Sequence, residues 1–224
     1  MSRVDDQYYL YYSVSTFGSQ TSAIGLARSP DLSSWTDLDA IITSDRSKAY
    51  NAIDAHLLEA KGSKLLTFGS FWNGLYQIQM QTPPTSIQPG AQPYRVSGNS
   101  ADKAQEGATV FRNGEYYYLF YSKGTCCGYD ARKLPAPGKE YKIMVCRSTL
   151  PTGGFVDRSG TACTSGGGSV VLESHDWVYG PGGQGVFEDA ILGPVSFLEY
   201  LRLSVLISPA QETGFELTFW WRRI

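Results

Sequence analysis

The sequence predicts an all-β fold assembled from repeated, blade-like sheets. Three segments are variants of one strand: Tyr8–Ser13 (YYLYYS), Leu65–Ser70 (LLTFGS) and Tyr117–Ser122 (YYLFYS), with terminal serines 57 and 52 residues apart. Each is followed by a second alternating strand, at Ala23–Arg28, Tyr76–Met80 and Tyr141–Arg147. Turn chemistry comes next in each case: Ser29-Pro30-Asp31, Pro83-Pro84 and Pro151-Thr152-Gly153-Gly154. No stretch longer than about two turns keeps a helical period. A repeat of about fifty residues with three or four strands per unit is the mark of a β-propeller blade. A β-sandwich is the alternative, but it does not require self-similar units.

The units can be justified in chain order. Counting sixteen residues back from Ser13 passes Met1, so the first unit is expected to lack its opening strand. The second unit opens near Asp54 and the third near Glu106. In the third, Asn113-Gly114 between two apolar runs predicts a tight hairpin. Its second strand places Tyr116, Tyr118 and Phe120 on one face and Tyr117, Leu119 and Tyr121 on the other. Both faces are apolar or aromatic, so this strand is expected to be covered on both sides. A fourth unit begins at Gly180-Pro181-Gly182-Gly183-Gln184-Gly185 and continues in a strand over Val195–Tyr200.

Composition narrows the function classes. A chain of 224 residues can bury a real core. The net charge of −2 and the lack of a basic cluster exclude nucleic acid as the expected partner. No run of eighteen apolar residues predicts a membrane span, and MSRVDDQYY carries no apolar signal-peptide core. Aromatic residues are plentiful (Tyr 15, Phe 10, Trp 5), which suits aromatic surfaces on an all-β frame.

The repeat register singles out two carboxylates. Sixteen residues before Ser122 stands Glu106, and sixteen before Ser70 stands Asp54. Acids at one structural address in successive blades converge on the propeller axis, where small-ligand sites form. Two carboxylates facing a sugar-sized pocket are the minimum for glycoside hydrolysis with inversion: one protonates the leaving oxygen, another activates water. Phe71 and Trp72 follow Ser70, and Tyr121 precedes Ser122, so aromatic faces flank both addresses. Trp72-Asn73-Gly74 reads as an exposed loop. His56 and His175 are far apart with no ligand spacing around them, so no metal site is predicted. Gly166-Gly167-Gly168 precedes no helix and is not a phosphate cradle.

Of the four cysteines, Cys146 and Cys163 flank a glycine-bearing loop, and their pairing is expected to add about 3 kcal/mol in the chain-entropy account. Cys126-Cys127 form either a vicinal disulfide or two thiols, in a turn beside the cavity. An even count without CxxC spacing favours an oxidising compartment over four buried thiols in the cytosol.

Several strings carry a family resemblance: YYSVSTFGSQTSAIGLA, YNAID, FGSFW, EYYYLFYSKGTCCGYD, EYKIMVCRSTLPTGGFVD and VLESHDWVYGPGGQGV. Over roughly Val4 to Val195 the chain resembles endo-1,5-α-L-arabinanases of glycoside hydrolase family 43. The resemblance implies a five-bladed propeller, extracellular in the family, that hydrolyses α-1,5-linked arabinan with inversion. Members use a general base, an acid that orients and tunes, and a general acid that must hold its proton until donation. Asp54 matches the orienting acid and Glu106 the general acid. Asn51, Ser70, Phe71, Trp72, Tyr121 and Gln184 are the corresponding substrate-binding candidates.

The departures from the family matter as well. The family's base belongs to a first blade that has no counterpart in residues 1–224, and Ala55 replaces the usual proline after Asp54. The sequence diverges after Pro194, which predicts an incomplete propeller domain over 1–194 and an aberrant last blade and tail over 195–224. No cofactor is expected. A metal at the propeller axis occurs in the family, but the matching region offers Gln184, and that site is left unassigned. The expected protein is a monomer acting on arabinan or arabino-oligosaccharides, near-inactive without the base. The alternative is a non-catalytic arabinan-binding remnant.

Overall fold

The computed structural model describes residues 1–99, 101, 104–130, 133–202 and 222–223. Its described strands form four antiparallel sheets, each traversed in simple up-and-down order. The first contains β1 (Ser2–Val4), β2 (Gln7–Ser15), β3 (Ser22–Ser29) and β4 (Thr36–Ser44). The second contains β5 (His56–Ala60), β6 (Ser63–Phe68), β7 (Leu75–Met80) and β8 (Tyr94–Ser97). The third contains β9 (Gln105–Asn113), β10 (Tyr116–Lys123), β11 (Lys142–Ser148) and β12 (Ser169–Leu172). The fourth contains β13 (Val178–Asp189), β14 (Gly193–Arg202) and β15 (Arg222–Arg223). The helical element among the described residues is a single 3₁₀ turn, Cys163–Ser165.

Each sheet stacks on the next because its strands carry apolar residues on both faces. In β6, Leu66 and Phe68 point into a core shared with Ile24, Leu26 and Ile42 of the first sheet. Leu65, of opposite parity, enters a second core with Val110, Tyr117, Leu119 and Tyr121 of the third sheet. The other face of β10 supplies Phe120 to a third core with Val178, Val186 and Leu198 of the fourth. Double-faced burial thus runs through the middle of the molecule, with Leu66, Leu119 and Tyr121 fully buried.

Two expectations need correction. The first sheet does have an opening strand, the three-residue β1, whose Ser2 pairs with Tyr9. Asp5 adopts a left-handed φ of 52°, which Asp tolerates in a tight turn, and so folds β1 back onto β2. A three-residue strand is too short to register in a fifty-residue repeat. The hairpin of the third sheet also turns one residue later than expected. Asn113 pairs with Tyr116, so Gly114 and Glu115 form the loop. Gly114 supplies a φ of 59° at the first central position, the geometry of a II′ turn.

The boundary expected at 194 falls inside β14, whose Val195, Leu198 and Tyr200 are buried. Most of the tail beyond it, 203–221 and 224, lies outside the described residues. Cys146 of β11 and Cys163 of the 3₁₀ turn are joined in a disulfide, with Cα atoms 6.6 Å apart, inside the core between the second and third sheets. Cys126 and Cys127 form a vicinal disulfide. No helix among the described residues is long and apolar enough to cross a membrane.

Leu119→Ala removes a fully buried side chain from the centre of β10, so a loss of about 2–5 kcal/mol is expected. Val170→Ala, at a position 49% exposed, should stay within about 0.5 kcal/mol of the parent. Urea unfolding monitored by tryptophan fluorescence distinguishes the two; equal midpoints would contradict the stacked-sheet core.

Candidate active site

One device recurs where the sheets meet. The serine near or just beyond the end of a sheet's second strand holds a residue in, or just ahead of, the first strand of the following sheet. Ser13 Oγ accepts a hydrogen bond from the Asp54 backbone N–H at 3.1 Å. Ser70 Oγ donates to Glu106 Oε2 at 2.7 Å. Ser122 Oγ donates to Gln184 Oε1 at 2.8 Å and accepts from Gly183 N–H at 3.0 Å. Asp54, Glu106 and Gln184 therefore occupy equivalent positions in the second, third and fourth sheets. The sixteen-residue offset of Glu106 has a direct cause: Ser122 and Glu106 are cross-strand partners. A bulge lies between that pair and Phe120–Thr109, where Gly107 takes a φ of 62°.

The bulge serves the acids. It frees the Gly107 N–H to donate to Asp54 Oδ2 at 3.1 Å, while the Gly107 carbonyl accepts from Gln184 Nε2 at 2.6 Å. Residues of three sheets are thereby tied to one glycine. Glu106 is held at both oxygens, Oε2 by Ser70 and Oε1 by the Tyr141 hydroxyl at 2.9 Å. Tyr141 in turn donates its backbone N–H to Tyr129 Oη at 3.1 Å. Its ring lies so close to Gly182 that a Cβ there would come within 2.0 Å of it.

Electrostatics follow from this crowding. Burial, then the charge of Glu106, raises the Asp54 carboxyl to about 6, against the smaller opposing effect of the Gly107 N–H. Burial, then Glu106, pushes the Tyr141 hydroxyl far above its ordinary value, so it remains a donor at every physiological pH. Burial lowers His56 to about 4 and keeps it neutral.

Two cavities meet at Glu106. One of about 700 Å³ is lined by Asp54, His56, Glu106, Tyr141 and Gln184. A cleft of about 520 Å³ is lined by Phe17, Asn51, Ser70, Phe71, Trp72, Glu106 and the Cys126–Cys127 disulfide. The structure thus brings Asn51, Ser70, Phe71 and Trp72 to one side of Glu106, and Asp54 and Gln184 to the other. Tyr121 is not with them. It shares the parity of Tyr117 and Leu119, is fully buried, and donates its hydroxyl to the Gly167 carbonyl at 3.1 Å. Its adjacency to Ser122 in sequence is undone by strand alternation. Gln184 lines the 700 Å³ cavity, but its amide bonds the third sheet at both ends.

Some participants escaped the sequence reading. Tyr141 and Phe17 were not singled out, and Ser13 and Ser122 served only as markers of the repeat. The serines were legible as the constant end of each repeated strand. Tyr141 gave no signal of its own, because its partner lies 35 positions away on a different strand. The axial metal implied by the family does not fit this donor set. His56 Nδ1 faces the Val110 N–H at 3.4 Å, Gln184 Oε1 is taken by Ser122, and no group of three His, Cys, Asp or Glu exists among the described residues.

A carboxyl whose pKa is higher folded than unfolded binds its proton more tightly in the native state. Its contribution to stability is therefore greatest at low pH and is lost as pH rises from about 4 to about 6. Asp54→Asn is expected to flatten the fall in urea midpoint across that window. Glu106→Gln should move the Asp54 carboxyl titration, followed by ¹³C NMR, towards the ordinary aspartate value. An unchanged Asp54 titration would show that the two charges do not interact.

Comparison with known proteins adds the family. Residues 1–215 match glycosyl hydrolases family 43. A probable arabinan endo-1,5-alpha-L-arabinosidase A from Emericella nidulans is 54% identical over 214 residues, covering 93% of this chain and 66% of that protein. The arabinan endo-1,5-alpha-L-arabinosidase A of Aspergillus niger is 53% identical over 209 residues, covering 92% of this chain and 64% of that one. Among solved structures, the GH43 endo-arabinanase from Bacillus licheniformis superposes with a TM-score of 0.83 at 30% identity, over 99% of this chain and 70% of that one. A Cellvibrio cellulosa alpha-L-arabinanase complexed with arabinohexaose gives a TM-score of 0.81 at 27% identity, over 91% and 68% of the two chains. The chain spans about two thirds of the length of the curated relatives it matches. With its paired acids, its aromatic cleft and a match over nearly its whole length, this chain belongs to glycosyl hydrolases family 43.

Proposed function

We propose that this chain carries the greater part of an endo-1,5-α-L-arabinanase site, on four blades of a five-bladed propeller. The observation that carries the reading is the placement of Glu106. It lies where an aromatic cleft meets the 700 Å³ cavity, fixed at both oxygens and beside a second carboxylate. The family match and the arabinanase names of its relatives support the substrate class.

In this reading an arabinan strand lies along the cleft, with sugar faces against Phe71 and Trp72 and polar contacts from Asn51. Glu106 delivers its proton to the departing glycosidic oxygen. The Tyr141 and Ser70 hydroxyls hold the carboxyl in the one orientation from which that oxygen can be reached. Asp54 sits beside it as the orienting acid and keeps the site negative where positive charge develops on the sugar ring. Inversion also needs a base to activate water on the opposite face. Among the described residues lining the two cavities, the carboxylates are Asp54 and Glu106, and both already have other roles in this reading. The chain of 1–224 alone is therefore proposed to turn over slowly, and to bind arabinan better than it cleaves it.

Assaying 1–224 on linear α-1,5-arabinan beside a version extended upstream tests both halves of the reading. The extended version is expected to be faster by roughly 10²–10⁴, the usual contribution of a general base. Glu106→Gln should abolish the gain, and equal turnover by both versions would falsify the missing-base account. Tyr141→Phe in the extended version should lower kcat with little change in KM and shift the alkaline limb of its pH–rate profile, where the general acid loses its proton. A purely structural tyrosine would leave that limb in place.

A further inference from the structure

The Cys126–Cys127 disulfide has no evident role in holding the fold. A disulfide stabilises by closing a loop, and this one joins adjacent residues whose Cα atoms are 3.8 Å apart. Cys146–Cys163 contrasts with it, since both of its cysteines are buried and it ties two segments seventeen residues apart. The adjacent pair instead lies on the surface of the 520 Å³ cleft, with Phe17, Phe71, Trp72 and Glu106.

Its loop is held firmly. Gly124 N–H donates to the Ala104 carbonyl and Thr125 N–H to the Lys139 carbonyl, each at 2.9 Å. The Tyr129 hydroxyl donates to the Thr125 carbonyl and accepts from the backbone N–H of Tyr141, the residue that holds Glu106. One hydroxyl therefore fixes both the disulfide loop and the tyrosine on the acid. Two side chains bonded to each other have little rotamer freedom left to lose on contact with a ligand. Their sulfur atoms offer a polarizable surface with almost no hydrogen-bonding demand. Such a surface suits the C–H face of a sugar ring.

We propose that the Cys126–Cys127 disulfide is a ligand-contacting wall of the cleft, against which an arabinofuranosyl ring packs. The assignment rests on the arabinan reading above. It makes a prediction about the protein as it stands, independent of turnover. A small dithiol opens the bond by thiolate attack on one Sγ. The second thiol then resolves the mixed disulfide, leaving two protein thiols and the oxidised cyclic dithiol, with two electrons transferred.

The test is the rate of that reduction, followed by alkylation and peptide mass spectrometry, with and without arabinohexaose. Ligand at about ten times its Kd should slow reduction of Cys126–Cys127 about tenfold, the ratio of total to unoccupied protein. Maltohexaose should leave the rate unchanged. Arabinohexaose bound, as read from tryptophan fluorescence, with no protection of the bond would overturn the assignment. Failure of the oxidised protein to bind arabinohexaose at all would instead remove the arabinan reading and this wall with it. A Cys126→Ala/Cys127→Ala variant is expected to bind arabinohexaose several-fold more weakly, and full affinity would count against the proposal. If the variant does not fold, the protection measurement on the unaltered protein decides.

Discussion

Two like-charged carboxylates cannot be held side by side away from bulk water unless the protein supplies the hydrogen bonds that water would have made. Much of the architecture around Asp54 and Glu106 answers that requirement. Ser70 and Tyr141 take the oxygens of Glu106, and the Gly107 N–H takes one oxygen of Asp54. The donors come from different sheets, so the pair stays hydrated by protein only while the sheets remain in register with one another. The three interleaved cores supply that register. Leu66 facing one way and Leu65 the other fix where the second sheet stands between its neighbours, and hence where Ser70 meets Glu106.

The legible part of this arrangement was the part written with a period. The serines at 13, 70 and 122 recur because each does the same job, and the acids are found by counting back from them because cross-strand pairing is itself a fixed count. Alternation along β10 likewise predicted which residues share a face, and the cores show where each face goes. What escaped was whatever depends on a contact with no sequence period. Tyr141 reaches Glu106 across a distance set by the long β10–β11 loop, and Phe17 reaches the cleft from a turn of the first sheet. Tyr121 failed in the opposite sense. Its neighbour Ser122 faces Gln184, so Tyr121 must face the core, and alternation alone could have said so.

Backbone strain collects at the same place. Asp54, Phe71 and Trp72 all have positive φ, at 59°, 54° and 47°. For an aspartate this costs little, but for two consecutive aromatic residues it is an unfavourable conformation that the surroundings must impose. Phe71 N–H is held by the Gln105 carbonyl at 2.8 Å, and Gly74 N–H returns to the Phe71 carbonyl at 2.8 Å. The residue before Glu106 thus holds the loop that carries the aromatic surface. Acid and aromatic wall are positioned from one point of the backbone, so a change that relaxes the loop is felt at the carboxyl.

The serine contacts also have a direction. In every case the hydroxyl belongs to the earlier sheet and its partner to the later one: Ser13 with Asp54, Ser70 with Glu106, Ser122 with Gln184. Each hairpin emerging from a ribosome therefore finds its docking hydroxyl already folded, and no sheet must wait for a later one before its first strand can be seated. A chain rich in slow, non-local strand pairing is thereby divided into successive local additions, the order in which synthesis delivers it.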